Sequence, residues 1–581
     1  MVRIVLLAFI FLQTQLGWSQ TFQNHRVTAW DKAGLSTQLT APSNQVDITD
    51  FGADNTGTST SDLAYQNAIA SLNGDAGTIY FPAGEYYFTS TLSIPNDVFL
   101  KGESAETVLR FNLGGSGDLI RMSGSMNSTQ ILLASDAEKG DDELELESAS
   151  GLQEGDVIRL YQFDEDRMFS SWAYGTLGQM MEIDEVEGNE IELTDPLNHH
   201  FPLSRSPFIR KLNPRRNAGI ECLKIVREDA TSGQTSNIMI SNAVNCVVRN
   251  VESTGCNFAH VEVNSSVHIQ IEGNYFHHAH AYGGGGQGYG VAMQTASSFN
   301  LVQNNIFERL RHSMLIQSGA NGNVFGYNYS YDPYWEDGFL PSNSAGDAVL
   351  HGNYTYLNLF EGNTVQNMVV DASHGSNGPF NTFFRNRGEL YGFFSDSGTP
   401  TDSMNVVGNE ITNSGFPYGL FMLNGQGHYS FGNNVYGTTN PSGTSNLTVR
   451  SLYLDENDLP AFLGSEILPM VGYPLSMNEK EAPSEIRFGN NQPISCVELV
   501  TAVTADAIAD ASVQLFGNRL RMDATDLPAT LSIYTADGRL ILSEFVTERT
   551  FDLSGKVPQN LLLIIRVQGK DGTAEVIKTI Y

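Results

Sequence analysis

Carboxylate, imidazole and aromatic side chains are concentrated in two segments near the middle of the chain. The first, from His277 to Gly290, reads HHAHAYGGGGQGYG, and the second, from Tyr331 to Asn353, reads YDPYWEDGFLPSNSAGDAVLHGN. Carboxylic acids and imidazoles can donate or accept protons, and guanidinium groups can hold anions. Aromatic rings beside such groups offer flat apolar faces for stacking. The two segments therefore predict a site for acid–base chemistry.

A short apolar phrase centred on an asparagine recurs through this part of the chain. Successive asparagines are separated by 24, 31, 23, 35, 23, 23 and 25 residues. A repeat of about two dozen residues without a helical pattern is typical of a solenoid. We expect one coil of a right-handed parallel β-helix per repeat, with the asparagine side chains hydrogen-bonded in a ladder along the coils. The asparagines are Asn250, Asn274, Asn305, Asn328, Asn363, Asn386, Asn409 and Asn434.

The two longest repeats contain the two segments that are rich in carboxylate, imidazole and aromatic side chains. At 31 and 35 residues, they exceed the shortest repeats of 23 residues and so carry insertions. A rigid solenoid commonly places functional residues on such loops. Residues six to eight positions after each ladder asparagine should lie on one face, about 4.8 Å apart from coil to coil. In four consecutive repeats these are His280 and Tyr282, Arg311 and His312, Tyr334, Trp335 and Glu336, and Asp371.

This set of side chains predicts the cleavage of a glycan. Hydrolysis of a glycosidic bond needs one carboxylic acid to protonate the leaving oxygen and a second carboxylate to activate water or attack the sugar. We expect hydrolysis of an acidic or sulfated plant or algal polysaccharide, with basic groups from Arg309, Arg311, Arg385 and Arg387. The expected catalytic residues are Glu336, Asp337, Asp371, His312 and Arg311, and the expected substrate-binding residues are His280, Tyr282, Tyr334, Trp335, Asp347, His351 and His374.

Two other functions remain open on the sequence. A polysaccharide lyase would use β-elimination, with a base drawn from Arg311 and His312 or from His280 and Tyr282. A lysine base from the coils is excluded, since no lysine occurs between Lys224 and Lys480. A non-catalytic glycan-binding protein is the third possibility.

The sequence requires no cofactor, although a Ca²⁺ ion is possible. His278, His280 and His351 could form a metal site with Asp347, but the spacing is a weak signal, and the identity of any metal stays open.

The charge balance limits the partners. The 581 residues include 32 Lys and Arg against 65 Asp and Glu, which gives a formal net charge of −33. Such acidity argues against nucleic acid or an anionic membrane as a partner. Cys222 and Cys246 are one repeat apart, so a disulfide and two buried free thiols are both possible.

The N-terminal sequence predicts export. Residues 1–19 have one arginine, a short apolar run and small residues before a predicted cleavage site after Ser19, as in a signal peptide. No later stretch is apolar enough for a membrane helix. We expect a secreted or surface-attached monomer whose partner is a polysaccharide.

The segment from Asp47 to Ser104 predicts a capping helix over 62–71 and strands over 78–81 and 86–88. Its motifs DFGA, AYQNAIA and GTIYFPAGEY resemble the entry segment of the pectate-lyase-like β-helix superfamily. That resemblance implies the β-helix fold, and the superfamily includes polysaccharide hydrolases, lyases, epimerases and phage tailspikes. The sequence STSDL departs from the doubled acidic residue usual before the helix.

The remaining domain boundaries follow from changes in the pattern. We expect an all-β protein with a cap and first coils over 20–126, an inserted β-subdomain over 127–205, further coils over 206–480, and a linker over 481–511. The insert contains FDEDRMFSSWAYG, where Trp172 and Tyr174 either flank a cleft or pack in the interior.

Residues 512–581 predict a small β-sandwich with a hairpin turn at TADGR. IYTADGRLI and FDLSGKVPQNLLLIIRV resemble the sorting domain of the type IX secretion pathway, although Asn560 and Leu561 depart from its pattern. The resemblance implies the secretion machinery as a partner, and a carbohydrate-binding module is the alternative.

Overall fold

A computed structural model of the chain describes residues 22–336, 341–396, 398–455, 459–463, 471–473 and 481–496, and the segments 513–516, 519–522, 529–535, 540–547, 550–553, 562–568 and 574–580. The predicted signal peptide and Asp337 lie outside the described residues. The chain forms two compact units, one of residues 1–455 and 469–494 and the other of 456–468 and 495–581. Within the described residues, no helix is long and apolar enough to cross a membrane.

The larger unit is a right-handed parallel β-helix, as the repeat predicts. Each complete coil contributes one short strand to each of three parallel sheets, which we name sheets A, B and C in the order in which the chain meets them. Sheet A has 12 strands. They are Gln45–Asp47, Gly77–Phe81, Val98–Gly102, Gly219–Glu221, Val247–Arg249, Gln270–Glu272, Leu301–Gln303, Val324–Gly326, Leu359–Glu361, Thr382–Phe384, Asn405–Val407 and Tyr429–Phe431.

Sheets B and C share two long strands, Thr364–Val370 and Arg387–Ser395, which pass from one sheet to the other without an intervening loop. The other strands of sheet B are Thr56–Thr60, Gly84–Phe88, Thr107–Phe111, Lys224–Arg227, Glu252–Cys256, Tyr275–Ala279, Ile306–Glu308, Tyr329–Tyr331, Glu410–Ile411 and Asn433–Val435, with Thr438–Asn440 added antiparallel. The other strands of sheet C are Leu92–Ser93, Ile120–Ser123, Ile238–Ser241, Ala259–Asn264, Tyr289–Gln294, His312–Ile316, Ala348–Leu350 and Leu420–Met422.

Apolar side chains that alternate along the strands fill the solenoid. In sheet A, Phe325, Phe360 and Phe383 are fully buried in successive coils. Their rings stack with centroid separations of 5.1 and 4.9 Å. Burial of one such side chain contributes about 1.5–3 kcal/mol, so the repeated apolar phrase supplies the energy that holds each coil on the next.

The asparagine ladder is confirmed, with corrections at both ends. The amide of Asn328 accepts hydrogen bonds from the backbone N–H (2.9 Å) and side chain (3.0 Å) of Asn305, and it donates to Asn363 Oδ1 at 3.0 Å. At the last coil Asn433 occupies the ladder position and not Asn434. At the first coil Val251 donates to Asn274, so Asn250 stands one residue away from the ladder.

A second asparagine ladder lies beside the first and was not predicted. It runs through Asn300, Asn323, Asn358 and Asn381, whose buried amides bond in the same way from coil to coil. Each of these residues precedes a member of the first ladder by five positions. The two ladders satisfy buried backbone groups at two turns of each coil, which fixes the register.

Two segments close and brace the solenoid. The predicted capping helix spans Asp62–Ser71 and buries Ala64, Tyr65 and Ala68. The segment 22–44 then runs along the coils, and its short 3₁₀ turns are Asn24–Arg26 and Trp30–Lys32. Arg26 donates to Asn405 Oδ1 (2.8 Å), and Ser36 donates to Asn245 Oδ1 (3.2 Å), so about ten residues cross several coils.

An antiparallel sheet interrupts the coils between residues 125 and 213. Its order is Ile131–Leu132, Phe208–Asn213, Val157–Tyr161, Gly178–Glu187, Glu190–Leu193 and Glu143–Glu145, with Ser125–Met126 beside Phe208–Asn213. The chain re-enters the solenoid at Gly219–Glu221, which pairs with Val98–Gly102. This inserted sheet has its own core, formed by residues such as Leu160, Met181, Ile191 and Ile209.

The remaining helices are short. Pro483–Gly489 is an α-helix that packs on sheet B, where Phe488 contacts Tyr275 and Tyr329. The other 3₁₀ turns are Ile48–Phe51, Ser171–Ala173, Leu203–Arg205, Ser342–Ser344 and Ala461–Leu463.

The second unit contains two antiparallel sheets. One has the strands Val513–Phe516, Arg519–Met522 and Thr550–Asp552, and the other has Leu540–Val546, Ala529–Thr535, Leu562–Gln568 and Ala574–Ile580. The predicted hairpin is confirmed by the pairing of Ala529–Thr535 with Leu540–Val546.

The four cysteines are present as thiols, and Cys222, Cys246 and Cys256 are buried. Burial raises the pKa of Cys246 to about 12, so it behaves as an inert apolar side chain.

Candidate active site

A line of polar side chains marks the end of sheet C, where each coil turns toward sheet A. The backbone N–H groups of Gln317, His351, Asp371 and Asp396 donate to the carbonyls of Met293, Ile316, Leu350 and Val370, at 3.0, 2.9, 2.8 and 2.9 Å. These residues therefore occupy equivalent positions in successive coils, about 4.8 Å apart. Gln294, at the end of the strand Tyr289–Gln294, occupies the same position in the coil before Gln317. We name Gln294, Gln317, His351, Asp371 and Asp396 the polar strip.

Two of the strip's carboxylates are neighbours. Asp371 and Asp396 are both half-buried and directly follow the inward-facing residues Val370 and Ser395. Each accepts a hydrogen bond from the backbone N–H two residues later, from Ser373 at 2.7 Å and from Gly398 at 2.9 Å. The same local turn thus holds both carboxylates, one coil apart.

His351 contacts the first of these carboxylates. Its Nδ1 lies 2.6 Å from Oδ2 of Asp371, and the imidazole is only 8% exposed. Burial favours the neutral form of Asp371, but the imidazole of His351 and the Ser373 N–H outweigh this and hold the pKa of Asp371 below its ordinary value. Asp371 is therefore ionised at neutral pH.

Aromatic and imidazole rings form a continuous series beside the strip. From Tyr289 the series passes to His312, His351, His374 and Trp172, with centroid separations of 5.1, 5.7, 4.8 and 5.6 Å. Burial lowers the pKa of both His312 and His374, and the nearby Arg311 and His351 add to the respective effects. These two imidazoles are neutral at neutral pH and can accept or donate hydrogen bonds.

The inserted sheet supplies one wall of the site. A loop from it docks on the coils because Asn353 Oδ1 accepts the backbone N–H groups of Phe169 (3.1 Å) and Ser170 (3.0 Å). The loop leaves Trp172 55% exposed and Phe169 66% exposed, next to His374. Two such exposed rings on one loop form an apolar patch of the kind that marks an interaction site. The sequence left the role of Trp172 open, and the structure puts it on the surface.

The predicted residues Arg311 and Trp335 lie at the other end of the ring series. The guanidinium of Arg311 is 5.5 Å from the ring centroid of Trp335 and 5.8 Å from that of Tyr289, and it donates to the Gly283 carbonyl at 2.6 Å. His312 begins its strand of sheet C, and its Nδ1 lies 3.0 Å from the Gly346 carbonyl.

The other predicted residues of the two loops make mostly structural contacts. The Tyr282 hydroxyl accepts the N–H of Ala279 (2.9 Å), and the exposed Glu336 accepts the N–H of Tyr282 (3.2 Å). His280 Nε2 lies 3.2 Å from the Arg227 carbonyl. Tyr334 packs edge-on against the ring of Tyr282 at 5.0 Å.

Asp347 lies inside the coil and not on its surface. Its side chain is fully buried, and it accepts hydrogen bonds from Ser330 Oγ (2.5 Å) and the N–H of Asn367 (2.7 Å). Burial raises its pKa to about 7. This position separates Asp347 from a substrate on the outer face.

Asp396 is the residue that the sequence reasoning missed. It follows Asp371 by 25 residues, one repeat, and both are followed by short polar turns, DAS and DSG. This spacing of one repeat was the feature of the sequence that could have identified Asp396. The offset of six to eight residues from the ladder asparagine concealed it, because the strand Arg387–Ser395 is longer than its predecessor and places Asp396 ten residues after Asn386.

The described residues hold no group of three or more His, Cys, Asp or Glu side chains that could bind a metal ion. The suggested metal set is dispersed: His280 faces the Arg227 carbonyl, His351 faces Asp371, and Asp347 is internal.

One family model matches part of the chain. Residues 45–138 match the family model described as rhamnogalacturonase A/epimerase, pectate lyase-like. No curated protein sequence matches the chain.

Solved structures to which the chain is similar include the tailspike protein gp49 from Pseudomonas phage LKA1, with 16% identity, coverage of 67% of this chain and 77% of that chain, and a TM-score of 0.48. The A-module of the Azotobacter vinelandii mannuronan C-5 epimerase AlgE6 has 14% identity, coverage of 66% and 98%, and a TM-score of 0.25. The catalytic unit of a GH87 α-1,3-glucanase from Streptomyces thermodiastaticus strain HF3-3 has 12% identity, coverage of 68% and 70%, and a TM-score of 0.31. The family match shows that the first coils and their cap resemble pectate-lyase-like proteins.

Proposed function

We propose that this protein is a glycoside hydrolase that cleaves a polysaccharide bound along the polar strip. The observation that carries the proposal is the pair Asp371 and Asp396, two half-buried carboxylates at equivalent positions of adjacent coils. The coil spacing of about 4.8 Å is close to the separation of about 5–5.5 Å between the two carboxyl groups of retaining glycosidases. The family match of residues 45–138 also supports action on a polysaccharide.

The geometry suggests a role for each carboxylate. Asp371, kept ionised by His351 and the Ser373 N–H, attacks the anomeric carbon and forms a glycosyl ester. Asp396 protonates the departing glycosidic oxygen and then takes a proton from the water that hydrolyses the ester. His351 is a positioning residue, since it acts through Asp371. Trp172 stacks on a sugar ring at one side of the cleavage point.

Other carboxylates in the region suit this role less well. Glu262 has a pKa raised by burial to about 7, but it belongs to a strand four ladder steps from Asp371, which is about 19 Å. That separation is too large for a shared glycosidic bond. Asp347 is buried inside the coil.

β-Elimination is the second candidate, and one observation favours it. His312 is a buried neutral imidazole beside Arg311, and a neutral imidazole can remove a proton while a guanidinium holds a uronate carboxylate. The test incubates the purified protein with a panel of plant and marine polysaccharides and records both reducing ends and the ultraviolet absorbance of unsaturated uronate.

Reducing ends without absorbance are the expected result for the hydrolase. A parallel rise of both signals would replace it with a lyase. Neither signal across the panel would make a glycan-binding protein the better account.

A further inference from the structure

The coils that carry the polar strip have few basic side chains, and those present already have partners. No lysine occurs between Lys224 and Lys480. The seven arginines of this span all interact with other groups of the protein. Three form ion pairs with carboxylates: Arg249 with Glu221, Arg309 with Asp332 and Arg387 with Glu410. Arg227 donates to the carbonyls of Asp229 and Gly117, Arg311 to that of Gly283 and Arg385 to that of Val449, and Arg450 also has an interaction.

The ionised side chains of the strip are carboxylates. Asp371 and Asp396 form its last two positions, and the whole chain carries a formal net charge of −33. Recognition of a carboxylate or sulfate on a polymer normally uses free arginine or lysine side chains. A polyanionic substrate would instead be repelled by these carboxylates, and the negative electrostatic potential of the protein would slow its association.

Amide groups occupy the strip on the side that precedes the carboxylates. Gln294 donates to Glu262 at 2.8 Å, and Gln317 donates to Gln294 at 2.6 Å. Gln317 is 6% exposed, and its Oε1 is buried without a hydrogen-bond partner among the described residues. An unpaired buried acceptor is costly, and a hydroxyl group would satisfy it.

We propose that the polar strip binds an uncharged polysaccharide, whose hydroxyl groups pair with Gln317 and the neighbouring imidazoles and whose sugar rings stack on Trp172. This inference rests on the proposed hydrolase function and departs from the acidic or sulfated substrate that we expect from the sequence. Neutral sugars match a surface of amides, neutral imidazoles and exposed aromatic rings, since these groups bind hydroxyls and apolar ring faces without needing a counter-ion.

The test uses pairs of polysaccharides that share a backbone and differ in charge. Suitable pairs are polygalacturonate with its carboxyl-reduced form and a sulfated galactan with its desulfated form, together with neutral glucans, mannans and xylans. Binding is measured on the inactive variant Asp396→Asn by affinity electrophoresis and calorimetry. We expect the uncharged member of a pair to bind at least about tenfold more tightly, with little change from about 50 mM to about 500 mM NaCl.

Two substitutions locate the contacts. Trp172→Ala and Gln317→Ala should each weaken binding of the neutral chain by about tenfold, which corresponds to about 1.4 kcal/mol. Leu63→Ala is the matched control, since Leu63 is 67% exposed on the capping helix and does not belong to the polar strip. Thermal melting of each variant checks that it is folded.

The outcomes separate this inference from the proposed function. Tighter binding of the charged member, weakened by salt, overturns the neutral substrate, while release of reducing ends by the wild-type protein leaves the hydrolase standing. Binding of neutral chains with no release of reducing ends supports the substrate class and overturns the hydrolase. Binding of neither member of any pair overturns the inference.

Discussion

Replacement of Asp347 by Asn should leave activity intact and change how stability depends on pH. In the folded protein the carboxyl group is fully buried between Ser330 and Asn367, and burial raises its pKa from 3.8 to about 7. An amide of the same shape can still accept the Asn367 N–H and can donate to Ser330 Oγ. The Ser330 hydroxyl can then donate to Ser313 Oγ, 2.8 Å away.

The magnitude follows from proton linkage. The folded state holds this proton more tightly than the unfolded state, so the stabilisation is complete below about pH 4 and is lost as the pH rises through about 7. A difference of about three pKa units at 1.36 kcal/mol each gives about 4 kcal/mol in full, and relaxation around the buried charge reduces this to about 2–4 kcal/mol. Asp347→Asn removes that dependence.

The assay is thermal unfolding of the wild-type protein and Asp347→Asn at about pH 5 and about pH 8.5. We expect the variant to melt slightly higher than the wild type at the lower pH, where part of the stabilisation is already lost, and by a few degrees more at the upper pH. Asp75→Asn, at an exposed turn, is the control and should not differ from the wild type. Identical pH dependence in Asp347→Asn would refute the reasoning, and a loss of activity would return Asp347 to the substrate site.

Three further predictions concern the ladder, the acidic limb of activity and the thiols. Asn328→Ala removes four buried hydrogen bonds and should lower the free energy of unfolding by about 4 kcal/mol, read as a lower melting temperature; an unchanged value would mean that the ladder is not stabilising. His351→Gln removes a group that lowers the pKa of Asp371, so the acidic limb of the kcat/KM profile should move to higher pH, and an unmoved limb would contradict this role. A water-soluble disulfide reagent should react with the native protein only at Cys496 and with three more thiols after unfolding; rapid labelling of the native protein at those three would contradict their burial. The three are Cys222, Cys246 and Cys256.

The repeat allowed the β-helix to be predicted because each coil uses the same short apolar phrase. The ladder asparagines were found for the same reason, and the errors at Asn250 and Asn434 arise where the coil pattern begins and ends. The second ladder has the same period as the first. It was not predicted because each repeat was described by one asparagine, whereas four repeats contain a second asparagine five positions earlier.

The site was predicted only in part. His312, His351, His374 and Asp371 do come together, but counting from the ladder assumes that every coil follows the same path. The strand Thr364–Val370 passes through two sheets without a loop and breaks that assumption. The contact of Asn353 with Phe169 and Ser170 joins segments more than 180 residues apart, and no local pattern in the sequence encodes it.

The most direct test of the proposed mechanism is the configuration of the first sugar released, followed by proton NMR during hydrolysis of a soluble polysaccharide. The account predicts that the wild-type protein forms the anomer of the cleaved linkage. It also predicts that Asp371→Asn and Asp396→Asn lower the rate by about 10²–10⁴-fold, while Asp332→Asn does not. An inverted first product, or undiminished hydrolysis by Asp396→Asn, would contradict the assignment of Asp371 and Asp396 as the catalytic pair.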